Sequence, residues 1–302
     1  MNIIIFASIY LIVTDLSFLS TLDANTVFNH PSLSAFASGG NISAVIYPTT
    51  AKQVVQATAL LDKEKIPYYV LGNCTNVLIK DEGVDGVVIC TKYLCGIDVK
   101  DELLYVGAGE SMPKLCKLSL EGSLSGIEGL CSIPGTVGGG VIMNCSAFGR
   151  EFADVIEYVD IAQDSEIVRY VAKDLDFGYR YSKARSLGAV VGVGIKLTTG
   201  DKRQIASDIK GYKIARMRSQ PQGVSLGSVF KQAGGTSAGY YIDKAGLKGM
   251  RIGGAKISEK HANFILNVGG ATSADFLALG NYARQEVDKL WGVKLQYEVD
   301  VI

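Results

Sequence analysis

The chain has 302 residues, 48% of them hydrophobic and 20% charged, and its 30 basic and 30 acidic side chains cancel. That length favours two or three domains over a single core. The composition excludes a disordered chain, and the absence of a basic stripe argues against nucleic acid as a partner. Six cysteines without a CxxC pair are expected to be reduced thiols, forming neither a zinc site nor a thioredoxin motif.

Ile3 to Val13 is an apolar run. It is too short to span a membrane and lacks the basic flank of a secretory signal, since the first Lys or Arg is Lys52. Residues 1–26 therefore read as a leader or core element of unassigned role. Ser43 to Pro48 reads as a short strand, and Ala51 to Ile66 carries apolar residues at helical spacing. Tyr68 to Leu71, Val77 to Ile79 and Val87 to Ile89 are short strands, so the opening region is a small α/β unit.

Leu103 to Val106 is a strand, and Ser111 is placed to cap a helix through Leu120, with Pro113 tolerated in its first turn. A glycine-rich loop covers 133–140. Val155 to Ile161, Ile167 to Val171 and Ala189 to Leu197 alternate like strands. Asp201 to Arg218 is a basic helix whose cations read as a solvated face. Beyond it come Val229-Phe230, a helix near Tyr240 to Ala245, a strand from Asn263 to Val268, a helix from Ser273 to Leu290, and an alternating terminal strand from Leu295 to Ile302.

The standard nucleotide signatures fail. Gly107-Ala-Gly109 lacks its third glycine because position 112 is Met, Gly192-Val-Gly194 fails likewise, and no GxxxxGK[ST] occurs. Two other loops remain. Gly72-Asn-Cys-Thr-Asn76 has small polar residues able to present successive N–H groups to an anion. Ile133-Pro-Gly-Thr-Val-Gly-Gly-Gly140 lets backbone lie against a flat ring without Cβ obstruction. Each alone is also readable as a structural turn, whereas the two together favour a large cofactor. Only His30 and His261 exist, without HxH or HExxH, so no catalytic metal is expected and His261 reads as a structural hydrogen-bonder.

The order of motifs closely resembles the UDP-N-acetylenolpyruvoylglucosamine reductase family. The segments that carry it are Gly72 to Leu78, Ile133 to Gly139 with Asn144 to Gly149, Phe177-Gly-Tyr-Arg-Tyr-Ser182, Gly227-Ser-Val-Phe-Lys231, Ile242 to Ala255 and Tyr297 to Ile302. Coverage runs from about Val27 to the C-terminus. The short stretch between Tyr181 and Val190 resembles the branch without an extra tyrosine-bearing loop, and so does His261-Ala-Asn-Phe-Ile.

The resemblance implies an α+β, vanillyl-alcohol-oxidase-like (PCMH-type) FAD-binding fold of two subdomains, plus a C-terminal α+β substrate domain. On this sequence they would be 27–92 completed by 291–302, 93–200, and 201–290. It implies FAD as cofactor, NADPH as hydride donor and UDP-N-acetylglucosamine enolpyruvate as substrate, in a cytoplasmic monomer with no membrane or nucleic-acid partner. The flavin residues it implies are Gly72, Asn73, Cys74, Thr75, Asn76, Ile133, Pro134, Gly135, Thr136, Val137, Gly138, Gly139, Asn144, Ala147 and Gly149. Ser228 would donate a proton, Arg180 would pair with the substrate carboxylate or its enolic form, and Glu298 would complete the enol-stabilising pair. Tyr179, Arg216, Lys231 and Gln232 would contact substrate.

Several positions depart from the family. The usual Gly-Ser-Asn reads Cys74-Thr75-Asn76, the usual Ser-Gly before Ile-Pro-Gly reads Cys131-Ser132, and the usual Asn-Ala-Gly-Ala-Tyr-Gly reads Asn144-Cys-Ser-Ala-Phe-Gly149. The added Cβ atoms are expected to shift backbone near a flavin or weaken its binding. Two other readings stay open: a flavin oxidase of related fold acting on another small alcohol or sugar, and a homologue that kept the fold and lost the chemistry.

Overall fold

A computed structural model describes residues 15–302, and the apolar run Ile3 to Val13 lies outside the described residues. The described chain forms two compact units. The first takes residues up to Asn29, Ser43–Asn73 and Gly86–Lys213; the second takes His30–Ile42, Cys74–Asp85 and Ile214–Ile302. Among the described residues no helix is long and apolar enough to cross a membrane.

A four-stranded sheet runs in the order Asn25–His30, Ile42–Tyr47, Val84–Cys90, Tyr68–Leu71. The last two strands are parallel, joined in register from Tyr68 opposite Val87 to Leu71 opposite Cys90. Helix α1 (Ala51–Lys63) opens with a reciprocal capping box between Thr50 and Gln53. It stops three residues short of the expected Ile66. Ile66 precedes Pro67, which disfavours helical backbone, and Lys65 already turns left-handed at φ 55°.

A five-stranded antiparallel sheet follows, in the order Glu166–Val171, Ile156–Gln163, Ala189–Lys196, Leu103–Gly107, Ile97–Lys100. Helix α2 (Met112–Glu121) is capped by Ser111, which accepts the Lys114 N–H, with Pro113 in the first turn as expected. Cys116 on α2 is bonded to Cys131, with Cα atoms 5.4 Å apart at a sequence separation of 15. This corrects the expectation of six reduced thiols. The spacing is not a CxxC, so nothing in the sequence marks the pair. Only the return of the chain at Glu128–Leu130 brings the two together.

The glycine-rich run is not loop throughout. Helix α3 (Val137–Met143) begins inside it, with Thr136 as its cap. Glycine is a poor helix former, yet a Cβ on Gly138 would meet that of Ala108 at 2.9 Å, and one on Gly140 would meet Phe152 at 3.1 Å. Those two glycines serve close packing, and tertiary contact overrides propensity. The short helix α4 (Ala184–Leu187) and the long helix α5 (Lys202–Ser219) follow. Ile205 is the one buried residue of α5, in keeping with a solvated basic helix.

The second unit has its own core of Leu226, Val229, Phe230, Phe276, Leu279, Leu295 and neighbours, with Phe36 edge-on to Phe276 at 5.0 Å. Helix α6 (Ala238–Lys244) and a four-stranded sheet, in the order Val224–Ser225, Ile265–Asn267, Ala255–Ile257, Arg251–Ile252, lead to helix α7 (Ser273–Trp291). The first turn of α7 is held twice. Thr272 and Asp275 form a capping box, and Asp81 accepts the Ser273 and Ala274 N–H groups at 2.8 and 3.0 Å.

The terminal strand differs from expectation. Only Asp300–Val301 is regular strand, parallel to Val77–Leu78. The residues before it are extended but bond elsewhere: Lys231 N–H donates to Gln296 O at 2.9 Å and Glu298 N–H to Val229 O at 2.8 Å. One segment serves two partners in succession, so no single ladder grows long.

Removing the Cys116–Cys131 link by Cys131→Ser is expected to lower unfolding free energy by about 3 kcal/mol, the loop-closure value for a ring of this size. Urea unfolding with and without dithiothreitol checks it. Reductant should destabilise the parent by the same amount and leave the variant unmoved. His261 supplies a second expectation. Its Nδ1 accepts the Asn263 N–H at 3.2 Å, and burial holds its pKa below the ordinary 6.5, with Lys248 acting in the same direction. The folded state thus keeps the ring neutral at pH values where the unfolded chain protonates it, so stability falls as pH drops below 6.5. The loss between pH 7.5 and 5.5 should shrink in His261→Gln; an equal loss in both proteins refutes this account.

Candidate active site

In the first unit the two glycine loops meet. A Cβ on Gly72 would lie 2.3 Å from Thr136 Oγ1, so only glycine allows this approach. The N–H groups that open α3 are already used: Val137 and Gly138 donate to Glu110 O and Ala108 O, both at 2.8 Å, and Gly139 donates to Thr136 Oγ1 at 3.3 Å. Val137 and Gly138 therefore hold the loop's shape. Gly139 and Pro134 are its exposed residues, while Gly135 takes φ 126°. Ile133 N–H donates to Leu130 O. Just ahead of the loop, Ser132 Oγ is buried without a hydrogen-bond partner in the protein. Asn73 is exposed at the end of this unit's share of the first loop.

Asn144 closes α3 in the left-handed conformation, at φ 38°, and is 1% exposed. Its amide is consumed within the protein. Nδ2 donates to Glu151 Oε2 at 2.9 Å and to Gly178 O at 3.1 Å, and Oδ1 accepts the Ala153 N–H at 3.0 Å. Gly178 begins a tight turn closed by paired bonds with Tyr181 at 3.0 and 3.1 Å. Tyr179 and Arg180 occupy its tip. Arg180 sits at φ 55°, uncommon for a side-chain-bearing residue. Its Nη1 donates to Ser146 Oγ at 2.6 Å, and its guanidinium lies 5.1 Å from the Tyr179 ring. Ser146-Ala147 pairs with Arg150-Glu151, and Gly149 turns between them at φ 76°. Burial pushes the neighbouring Cys145 thiol up to about 12, with Arg180 pulling the other way, so Cys145 is not a nucleophile at neutral pH.

In the second unit the loop Cys74-Thr75-Asn76 and the segment Ser228 to Lys231 are both tied to the chain end. Asn76 Nδ2 donates to Glu298 O at 3.0 Å, and Asp300 N–H donates to Asn76 O at 3.0 Å. Cys74 is buried at φ 51°, a backbone state suited to glycine. Ser228 and Glu298 are half-buried, and the bond from Glu298 N–H to Val229 O places them on adjoining segments. Lys231 N–H, bonded to Gln296, turns the chain toward a concavity of about 400 Å³ lined by Gln232, Tyr241, Lys294 and Gln296 among others. Arg216 is partly buried on α5, which lowers its pKa while leaving it charged.

Asn263 was not legible as a site residue. It is 5% exposed and clamps the residue two beyond Ser228: Oδ1 accepts the Phe230 N–H at 3.0 Å, Nδ2 donates to Phe230 O at 2.8 Å, and its own carbonyl accepts the Val229 N–H at 2.8 Å. Its place in His261-Ala-Asn263-Phe-Ile hinted at a family branch and not at this role.

Residues 42–169 match a family described as FAD binding domain, and residues 220–302 match one described as UDP-N-acetylenolpyruvoylglucosamine reductase, C-terminal domain. The residues present fit a flavin. Gly72 admits no Cβ against Thr136, Gly139 offers an exposed Cβ-free surface, and the orphaned Ser132 hydroxyl directly precedes the loop that opens at Ile133. The fold is the expected vanillyl-alcohol-oxidase-like type with an added C-terminal part.

A UDP-N-acetylenolpyruvoylglucosamine reductase from Thermosipho melanesiensis is 40% identical over 88% of this chain and 91% of its own. One from Clostridium beijerinckii is 37% identical over 88% of each chain. The crystal structure of the reductase from Thermus caldophilus superposes with a TM-score of 0.80 at 35% identity, covering 92% of this chain and 98% of that one. With relatives this similar along nearly their whole length, the chain belongs to the UDP-N-acetylenolpyruvoylglucosamine reductase family.

Proposed function

We propose that the chain reduces UDP-N-acetylglucosamine enolpyruvate to UDP-N-acetylmuramate, a step of peptidoglycan precursor synthesis, with FAD as its cofactor and NADPH as hydride donor. The observation that carries the reading is the joint fixing of Ser228 and Glu298. Glu298 makes, and Ser228 immediately precedes, the main-chain bond from Glu298 N–H to Val229 O, so a carboxyl group and a hydroxyl are carried on neighbouring bonded segments.

When bound, the flavin supplies a hydride relay between the nicotinamide and the enolpyruvyl ether. The protein's part is to place donors where charge develops. Reduction at the methylene carbon builds negative charge on the adjoining carbon and its carboxylate. The planar fork of Arg180 suits that carboxylate. Ser228 delivers the proton to the adjoining carbon. A hydroxyl is a weak acid at neutral pH, so this role depends on placement, and the Asn263 clamp on Phe230 supplies rigidity close by. Glu298 stabilises the enolic form.

Lys231, Gln232, Arg216 and Tyr179 contact the substrate, and the concavity beside Gln232 has room for part of it. The loops 72–76 and 133–139, with Asn144, Ala147 and Gly149, form the flavin cradle. The side chain of Asn144 is committed to Glu151 and Gly178, so its share in that cradle is to hold the shape. The chain acts as a cytoplasmic monomer, and its working parts are 27–92 with 291–302, 93–200 and 201–290.

Purified protein should be yellow, with flavin absorbance that bleaches on NADPH and recovers on adding the enolpyruvyl substrate. A colourless protein that FAD does not reconstitute would refute the reading, and oxygen uptake with simple sugars in place of substrate turnover would favour an oxidase. Ser228→Ala should keep flavin bleaching by NADPH while slowing substrate reduction by about three orders of magnitude. Equal loss of both half-reactions would point to misfolding and count against the assigned role.

A further inference from the structure

We infer that Ser146 is a positioning residue that sets the guanidinium of Arg180, so that this chain gains an anchor from one of its departures from the family pattern. The inference rests on the reading of Arg180 as the partner of the substrate carboxylate.

Arg180 is at the tip of a two-residue turn, at φ 55°, and is only partly buried. A long, flexible side chain in that setting has many rotamers open to it. Its backbone is fixed from one side, since Asn144 Nδ2 holds the Gly178 carbonyl at 3.1 Å. Its charged end is fixed from another, by the 2.6 Å bond from Nη1 to Ser146 Oγ.

Both restraints lead to the same small hairpin. Ser146 pairs with Glu151 across it, and the Glu151 carboxylate accepts the second Asn144 amide bond at 2.9 Å. A closed circuit results, from Asn144 to Gly178, through the turn to Arg180, across to Ser146, then by Glu151 back to Asn144. A bond from a cation to a hydroxyl is short and directional. A guanidinium has five donors, so giving one to Ser146 is compatible with a two-point grip on a carboxylate. Glycine or alanine at position 146 offers no side-chain acceptor and opens the circuit at that link. The serine hydroxyl, unexplained as a flavin contact, is explained as an arginine contact.

The test is a double-mutant cycle on the FAD-loaded enzyme. Ser146→Ala, Ser146→Thr, Arg180→Lys and the double variant Ser146→Ala/Arg180→Lys are compared for KM and kcat with the enolpyruvyl substrate, and for flavin content by absorbance. Ser146→Ala should raise KM about tenfold with little change in kcat, the low end for a hydrogen bond to a charged group because the site is partly exposed. Ser146→Thr keeps the acceptor and should restore KM to within about threefold of the parent. In the Arg180→Lys background the alanine change should add nothing.

An unchanged KM in Ser146→Ala, or the same tenfold increment on both backgrounds, overturns the inference while leaving the role of Arg180 standing. Unchanged substrate kinetics in Arg180→Lys and Arg180→Ala alike would remove the carboxylate reading itself, and this inference with it.

Discussion

The last seven residues of the chain are the constraint on which the second unit's candidate residues depend. Gln296 and Glu298 bond to Lys231 and Val229, and Asp300 and Ile302 bond to Asn76 and Leu78. Lys80 N–H then donates to Ile302 O at 2.8 Å. An extended strand in a sheet normally offers both of its edges along its whole length. Here the segment gives its first half to the Ser228 side and its second half to the Asn76 loop. Glu298 lies where the partner changes. Its N–H goes to Val229 and its carbonyl takes the Asn76 amide. Fixing both main-chain groups of a residue fixes the root of its side chain. The carboxyl group therefore starts from a defined position.

The first unit solves the same problem differently. Its candidate cation is on a turn, and turns are the mobile parts of folds. Rigidity there comes from Asn144, a buried amide with all three of its named bonds satisfied. A buried polar group left unpaired would be costly, whereas a satisfied one locks geometry. Asn263 plays the corresponding part for Phe230 in the second unit. Two buried asparagines, each spanning three protein partners, thus hold the segments bearing Arg180 and Ser228. Neither need touch a ligand to matter.

Much of the fold was legible because its signals are local. Tyr68–Leu71 and the Ser111 cap of α2 stood where alternation and capping chemistry put them. The two glycine loops were legible as a pair, and Gly72 against Thr136 shows why glycine was needed. What escaped depends on distant partners. Leu295 to Ile302 reads as one alternating strand because alternation reports which face is apolar and says nothing about how many neighbours share the edge. The helical start of α3 was hidden because three glycines argue against a helix until Ala108 and Phe152 are known to press on it. The Cys116–Cys131 pair and the Asn263 clamp carry no sequence signature at all. They follow from which loops the fold happens to bring together.

The three positions where glycine was expected, Cys74, Ser132 and Ser146, bear on one another. A uniform loosening of the flavin loops would predict that all three side chains are merely tolerated. The structure separates them. Cys74 takes the left-handed backbone, at φ 51°, at a cost on the order of 1 kcal/mol. Ser132 brings a buried hydroxyl without a partner in the protein, which is unfavourable unless something else satisfies it. Ser146 brings a hydroxyl that binds the arginine of the neighbouring turn. One departure is strain, one is an unmet polar group, and one is a new bond.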